Sequence, residues 1–167
     1  MSIRNLDKLF KPASVALIGA TARERKLGAI ALYNLLGGGY QGEIWPVNPK
    51  YDELMGLKCY RKLAHLPKAP DLAIICTPPA TITALIRELG ALGTRAVIVM
   101  TSGLDPVREQ SLRLAMLKAA KPHLLRILGP NSMGLLVPKL GLNASFAHVG
   151  ATSGKIAFVS QSGALVS

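Results

Sequence analysis

Gly19, Ala20 and Thr21 follow the apolar run Val15-Ala16-Leu17-Ile18 and precede Arg23, Arg25 and Lys26; a helical pattern then opens at Leu27-Gly28. A strand that passes through a Gly-led polar loop into a helix builds an anion site. The loop offers backbone N–H groups, and the helix start adds partial positive charge. Three basic side chains strengthen that field, so a phosphorylated ligand is expected. The loop is not an ordinary dinucleotide fingerprint, because Thr21 stands where G-x-G-x-x-G requires its second glycine. No G-x-x-x-x-G-K-[ST] sequence occurs in the chain either.

The elements that must position this loop read as strand then helix, repeated. Strands are expected at residues 15–18, 43–47, 71–76, 95–100, 126–128 and 156–160. Leu27, Ile30, Ala31 and Leu35 give an amphipathic helix ended by Gly37-Gly38-Gly39. Ile82, Leu85, Ile86 and Leu89 give another, with Pro79 in its first turn. Asp105-Pro106 caps and opens a third, with Leu112, Ala115, Met116 and Ala119 inward. Continuous apolar strands alternating with helices predict an α/β fold. It is a Rossmann-like, doubly wound, mainly parallel sheet with helices on both faces. Residues 138–154 read as the loosest part, and there is no internal repeat.

Ligands of such sheets bind beyond the carboxyl ends of the strands. Here those ends carry Gly19-Ala20-Thr21, Asn48-Pro49-Lys50, Thr77-Pro78, Thr101-Ser102-Gly103 and Asn131-Ser132. Small, polar or Pro-fixed residues with one lysine make the composition of a cleft. NAD-binding folds place an Asp or Glu after the second strand to hold the ribose 2′-hydroxyl. In this chain Lys50 takes that place, which suits a ribose phosphate. Coenzyme A, with a pyrophosphate and a ribose 3′-phosphate, fits. NADP fits by charge, but the missing glycines argue against it. An NAD(P)-binding oxidoreductase domain and a nucleotide-sensing regulatory module remain as alternatives.

The bulk numbers bound the rest. At 167 residues the chain holds one domain of ordinary size. Half of it is hydrophobic and 17% is charged, which excludes a disordered chain and a coiled coil. The net charge of +11 is spread along the sequence and aromatics are 5%, so a nucleic-acid partner is not expected. A positive field that gathers a polyanionic small molecule accounts for the charge. No apolar run approaches the ~20 residues of a membrane span. The start, Met1 to Lys8, has no apolar signal region. With two cysteines, Cys59 and Cys76, a cytoplasmic location is expected.

The residues resemble a known family. Five segments carry the likeness: Val15-Ala16-Leu17-Ile18-Gly19-Ala20-Thr21; Trp45-Pro46-Val47-Asn48-Pro49-Lys50; Pro70-Asp71-Leu72-Ala73-Ile74-Ile75-Cys76-Thr77-Pro78-Pro79; Leu128-Gly129-Pro130-Asn131-Ser132-Met133-Gly134; and Gly154-Lys155-Ile156-Ala157-Phe158-Val159-Ser160-Gln161-Ser162-Gly163. Together they look like the N-terminal CoA-binding domain of NDP-forming acyl-CoA synthetases, relatives of the succinyl-CoA synthetase α subunit. Leu35-Leu36-Gly37-Gly38-Gly39-Tyr40-Gln41-Gly42 and Leu142-Asn143-Ala144-Ser145-Phe146-Ala147 look closer still to bacterial protein lysine acetyltransferases. The likeness covers essentially the whole chain.

The resemblance implies a CoA or acetyl-CoA site. The loop over residues 19–28, with Arg23, Arg25, Lys26 and Gly28, would hold the phosphates, and Lys50 the nucleotide end. Thr77-Pro78 and Thr101-Ser102-Gly103 would line the cleft, and Asn131-Ser132 would face the thiol arm. Succinyl enzymes carry Cys where Ser132 stands, so a role for that side chain near the thioester does not carry over. Residues 1–155 would form the CoA-binding domain, and residues 156–167 the last strand and the cut-off start of the next domain. ATP or ADP would bind other parts of the parent, whether synthetase or acetyltransferase, and those remaining domains would be its partners.

No catalytic constellation is read. His65, His123 and His148 are isolated, so no metal site is expected. Ser160 and Ser162 have no matching His or acid and read as helix caps. This piece is expected to bind rather than catalyse.

Overall fold

Parallel strands need long crossovers, and α-helices supply three of the four in this sheet. The computed structural model describes residues 3–162. Its elements run α1 (Leu6–Phe10), β1 (Ser14–Ile18), α2 (Leu27–Gly37), β2 (Glu43–Val47), a hairpin of β3 (Glu53–Leu54) and β4 (Leu57–Lys58), and β5 (Leu72–Ile75). Then come α3 (Pro79–Leu92), β6 (Ala96–Val99), α4 (Pro106–Ala120), β7 (Arg126–Leu128), β8 (Gly134–Val137) and β9 (Leu142–Ser145). Five strands form one sheet in the order β2-β1-β5-β6-β7, with every neighbouring pair parallel.

Strict alternation along these strands divides the core. Val15, Leu17, Leu72, Ile74, Ala96 and Ile98 face one side with Ala31, Leu32 and Leu35 of α2. Ala16, Ile18, Ala73, Ile75, Val97 and Val99 face the other with Ile82, Ile86 and Leu89 of α3 and Met116 of α4. Both faces are apolar, as a sheet covered on both sides requires. The expected Rossmann-like α/β fold is the one observed. Pro46 lies within β2, where its missing N–H is tolerated because β2 is an edge strand.

The first face is not covered by helices alone. The antiparallel hairpin β8–β9 packs beside α2, burying Leu135, Leu142 and Ala144. Asn34 on α2 donates from Nδ2 to the carbonyls of Ser145 (2.9 Å) and Ala147 (3.0 Å). The segment read as loosest therefore includes a buried strand. Its four-residue alternation is too short to stand out until its partner is seen.

The strand expected over residues 156–160 does not form. That segment pairs with nothing among the described residues, and Ile156 and Val159 are each 94% exposed. Apolar residues supply half of a strand; the ladder needs a neighbouring backbone as well. The helix expected to begin beyond Ser162 lies outside the described residues.

The caps follow the sequence. Pro79 opens α3, and the Asp105 carboxylate accepts from the Arg108 N–H at 3.0 Å. The exposed Arg108–Asp105 ion pair adds little. Asp105→Ala is expected to cost about 1 kcal/mol, the usual worth of such a cap. Urea unfolding would show it as a lower midpoint with unchanged slope.

Candidate functional site

The carboxyl ends of β1 and β5 are the topological switch point: the chain leaves β1 for β2 on one side and later continues through β5 on the other. Gly19 turns the chain there at φ +88°. Its N–H donates to the Val47 carbonyl at 3.0 Å, and a Cβ in its place would meet Thr77 Cγ2 at 3.0 Å. Only glycine gives both the left-handed turn and this approach without strain. At Gly28, in the first turn of α2, a Cβ would overlap the Gly19 carbonyl oxygen. Gly28 thus brings the helix start onto the turn, while Ala20 between them is fully buried.

Hydrogen bonds tie the strand ends into one edge. Asn48 donates from Nδ2 to the Ala20 carbonyl at 2.7 Å, and its Oδ1 accepts the Lys50 N–H at 2.9 Å. Thr101 donates from Oγ1 to the Thr77 carbonyl at 2.7 Å. The Asn131 N–H reaches the Thr101 carbonyl at 3.0 Å. The Thr77 hydroxyl pairs with that of Thr81 at 2.7 Å. Ser132 accepts from the Gly134 N–H at 3.1 Å. Ser102 and Gly103 follow Thr101 in an exposed loop, and Pro49 and Pro78 are exposed at their strand ends. The sequence-read positions from β1, β2, β5, β6 and β7 therefore share one edge. Asn48 and Ala20 serve there as struts rather than as free surfaces.

The electrostatics suit an anion. Arg23, Arg25, Lys26 and Lys50 are exposed, and none makes a salt bridge among the described residues. The N-terminus of α2 has no side-chain cap and no acidic residue in its first turn. The Ala29 N–H is taken up by the Lys26 carbonyl at 2.9 Å, and the N–H groups of Leu27 and Gly28 ahead of it, with the helix dipole, give a start that suits an anion. A pyrophosphate with a further ribose phosphate fits this set of donors: a glycine cradle, an uncapped helix start and unpaired cations.

Tyr51 was missed by the sequence reading. Its phenol oxygen lies 3.1 Å from Thr21 Oγ1. The Thr21 hydroxyl, then the Ala22 N–H, Arg23 and Lys50, hold the phenol below its ordinary pKa, against the opposing effect of burial. An aromatic residue three positions after Asn48, just past Asn-Pro-Lys, was the available signal. Cys76 follows β5 beside Gly19, and burial pushes its thiol up to about 12, so it stays protonated at neutral pH. Cys59 and Cys76 are both free thiols.

Two concavities lie elsewhere. One of about 400 Å³ is lined by Arg87, Lys118 and His123, the other of about 560 Å³ by Leu117, Leu124 and Arg126. Neither includes a strand-end residue of the β1–β5 switch point. Among the described residues no cluster of His, Cys, Asp or Glu could hold a metal, and no helix is long and apolar enough to cross a membrane.

Fold and edge together define a doubly wound α/β domain whose switch point carries a glycine turn, a helix start and exposed cations. Residues 13–138 match the CoA binding domain model, and the chain belongs to that family. It is 37% identical over 155 residues to an ADP-forming acetate–CoA ligase of Methanocaldococcus jannaschii, covering 93% of this chain and 22% of that protein. It is 35% identical to the α subunit of an ADP-forming acetate–CoA ligase of Pyrococcus furiosus, covering 96% of this chain and 36% of the subunit. Among solved structures, a dinucleotide-forming acetyl-coenzyme A synthetase of Candidatus Korarchaeum cryptofilum, in complex with phosphate and ADP, superposes with a TM-score of 0.90. That match is 40% identical and covers 96% of this chain and 34% of the other. The chain thus spans roughly a fifth to a third of the length of these relatives.

Proposed function

We propose that this chain is the coenzyme-binding part of an ADP-forming acyl-CoA synthetase and that it takes CoA or acetyl-CoA along the carboxyl edge of its sheet. The observation that carries the reading is the convergence of the Gly19 turn, the uncapped start of α2 and Lys50 at the end of β2. In this assignment Lys50 holds the 3′-phosphate and the loop from Gly19 to Gly28 holds the pyrophosphate. Neighbouring strands lie ~4.8 Å apart, so the edge from β2 to β7 runs roughly 19 Å, suited to an elongated ligand. Thr77, Pro78, Thr101, Ser102 and Gly103 would line the pantetheine arm, and Asn131 and Ser132 its thiol end.

The matched ligases support a synthetase as the parent, ahead of the acetyltransferase that the residues around Gly37-Gly38-Gly39 resemble. ATP or ADP would bind other domains of that parent, which are also the proposed partners, residues 156–167 leading into the first of them. The free thiols accord with a cytoplasmic location. In this reading the chain supplies coenzyme binding and the rest of the parent supplies turnover.

Calorimetry on the 167-residue chain tests the assignment. CoA is expected to bind, and NAD to bind far more weakly, because Asn48-Pro49-Lys50 stands at the end of β2 in place of a carboxylate for a ribose 2′-hydroxyl. Equal or tighter NAD binding would overturn it in favour of a dinucleotide domain.

A further inference from the structure

We infer that Tyr51 is a positioning residue for the anion loop: its phenol oxygen fixes the turn from Thr21 to Arg23 in the shape that receives the pyrophosphate. The inference rests on the CoA reading above and adds to it a residue outside the strand-end motifs. Thr21 Oγ1 accepts the Arg23 N–H at 3.2 Å and shares a second hydrogen bond with the phenol oxygen 3.1 Å away. The Thr21 turn is therefore tied to an atom from another element, the phenol oxygen of Tyr51.

That atom is firmly placed. The Asn48 side chain closes a turn onto the Lys50 N–H and also braces Ala20, and the Tyr51 ring packs against the apolar cluster that includes Leu54 and Cys59. The loop itself has little else to hold it: residues 22–26 are all exposed, and its three cations make no salt bridge among the described residues. A loop left loose would have to be ordered when ligand binds, at the ligand's expense. Tyr51 orders it beforehand, from the end of β2, so that the nucleotide-end lysine and the pyrophosphate loop are set relative to each other.

The test is calorimetry with CoA and dephospho-CoA on the wild-type chain, Tyr51→Phe, Thr21→Val and the double variant. Phenylalanine keeps the packed ring and removes only the oxygen, so the unfolding temperature is expected to stay within a few degrees. Tyr51→Phe is expected to weaken both ligands alike, by roughly three- to ten-fold, the worth of one hydrogen bond. The double variant is expected to lose less than the two single losses combined, because both act through one contact. Undiminished affinity in Tyr51→Phe, fully additive losses, or a loss confined to CoA would each overturn the inference. Wild-type chain that binds neither ligand would overturn the CoA reading itself, a distinguishable result.

Discussion

Gly28→Ala is expected to destabilise the domain by roughly 3 kcal/mol, at the upper end for overpacking. The added Cβ meets backbone, the Gly19 carbonyl oxygen, with the Ala20 Cα also close at 3.2 Å. A side chain could swing aside; a carbonyl that ends a central strand cannot. Relief requires α2 to back away from β1, which would break contacts of Ala31, Leu32 and Leu35 with the sheet. For a domain of this size that loss corresponds to a fall of roughly 6–12 °C in unfolding temperature. CoA affinity should fall further than stability alone explains, since the helix start would no longer face the turn. Gly37→Ala, at the other end of the same helix, meets nothing within 4 Å and is expected to be near neutral. Thermal unfolding of the two variants checks the contrast. If Gly28→Ala unfolds like wild type, the close approach of α2 to Gly19 is not what this glycine provides.

Lys50→Ala is expected to weaken CoA binding by roughly 1–3 kcal/mol, the range for a charge-assisted hydrogen bond. The side chain is exposed and unpaired, so its removal leaves the fold intact and the low half of the range is the better expectation. The informative measurement pairs two ligands with two proteins. Dephospho-CoA lacks the 3′-phosphate, and its affinity should scarcely change if Lys50 holds that group. Equal losses for both ligands would move Lys50 to the pyrophosphate; no loss for either would make it a solvated surface lysine. Added salt should shrink the CoA loss, because screening acts over ~8 Å at physiological ionic strength.

Local chemistry made much of this molecule legible in the sequence. Five of the six expected strands and the three expected helices are present, because each carries its own signal: continuous apolar runs, helical spacing, Pro79 and Asp105 at helix starts, and glycines at the end of α2. The Gly19 loop, Lys50 and the other strand-end residues were legible for a related reason. In a parallel sheet, strand direction alone sends every carboxyl end to the same edge.

Tertiary structure decided what depended on a partner distant in sequence. The order of the strands, which makes β1 and β5 the switch point, is set by which edges pair, and no single segment encodes it. Leu135, Leu142 and Ala144 belong to the core only because β8 and β9 find each other and the face beside α2. Residues 156–160 have the apolar residues of a strand and no neighbour among the described residues to make them one. Gly28, legible in the sequence as the end of the phosphate loop, is also where two backbones meet, which only the packed structure shows. Tyr51 gave only the weak signal of an aromatic residue just past Asn-Pro-Lys; its oxygen lies 3.1 Å from a hydroxyl thirty residues earlier, a distance that exists only once β1 and β2 are paired.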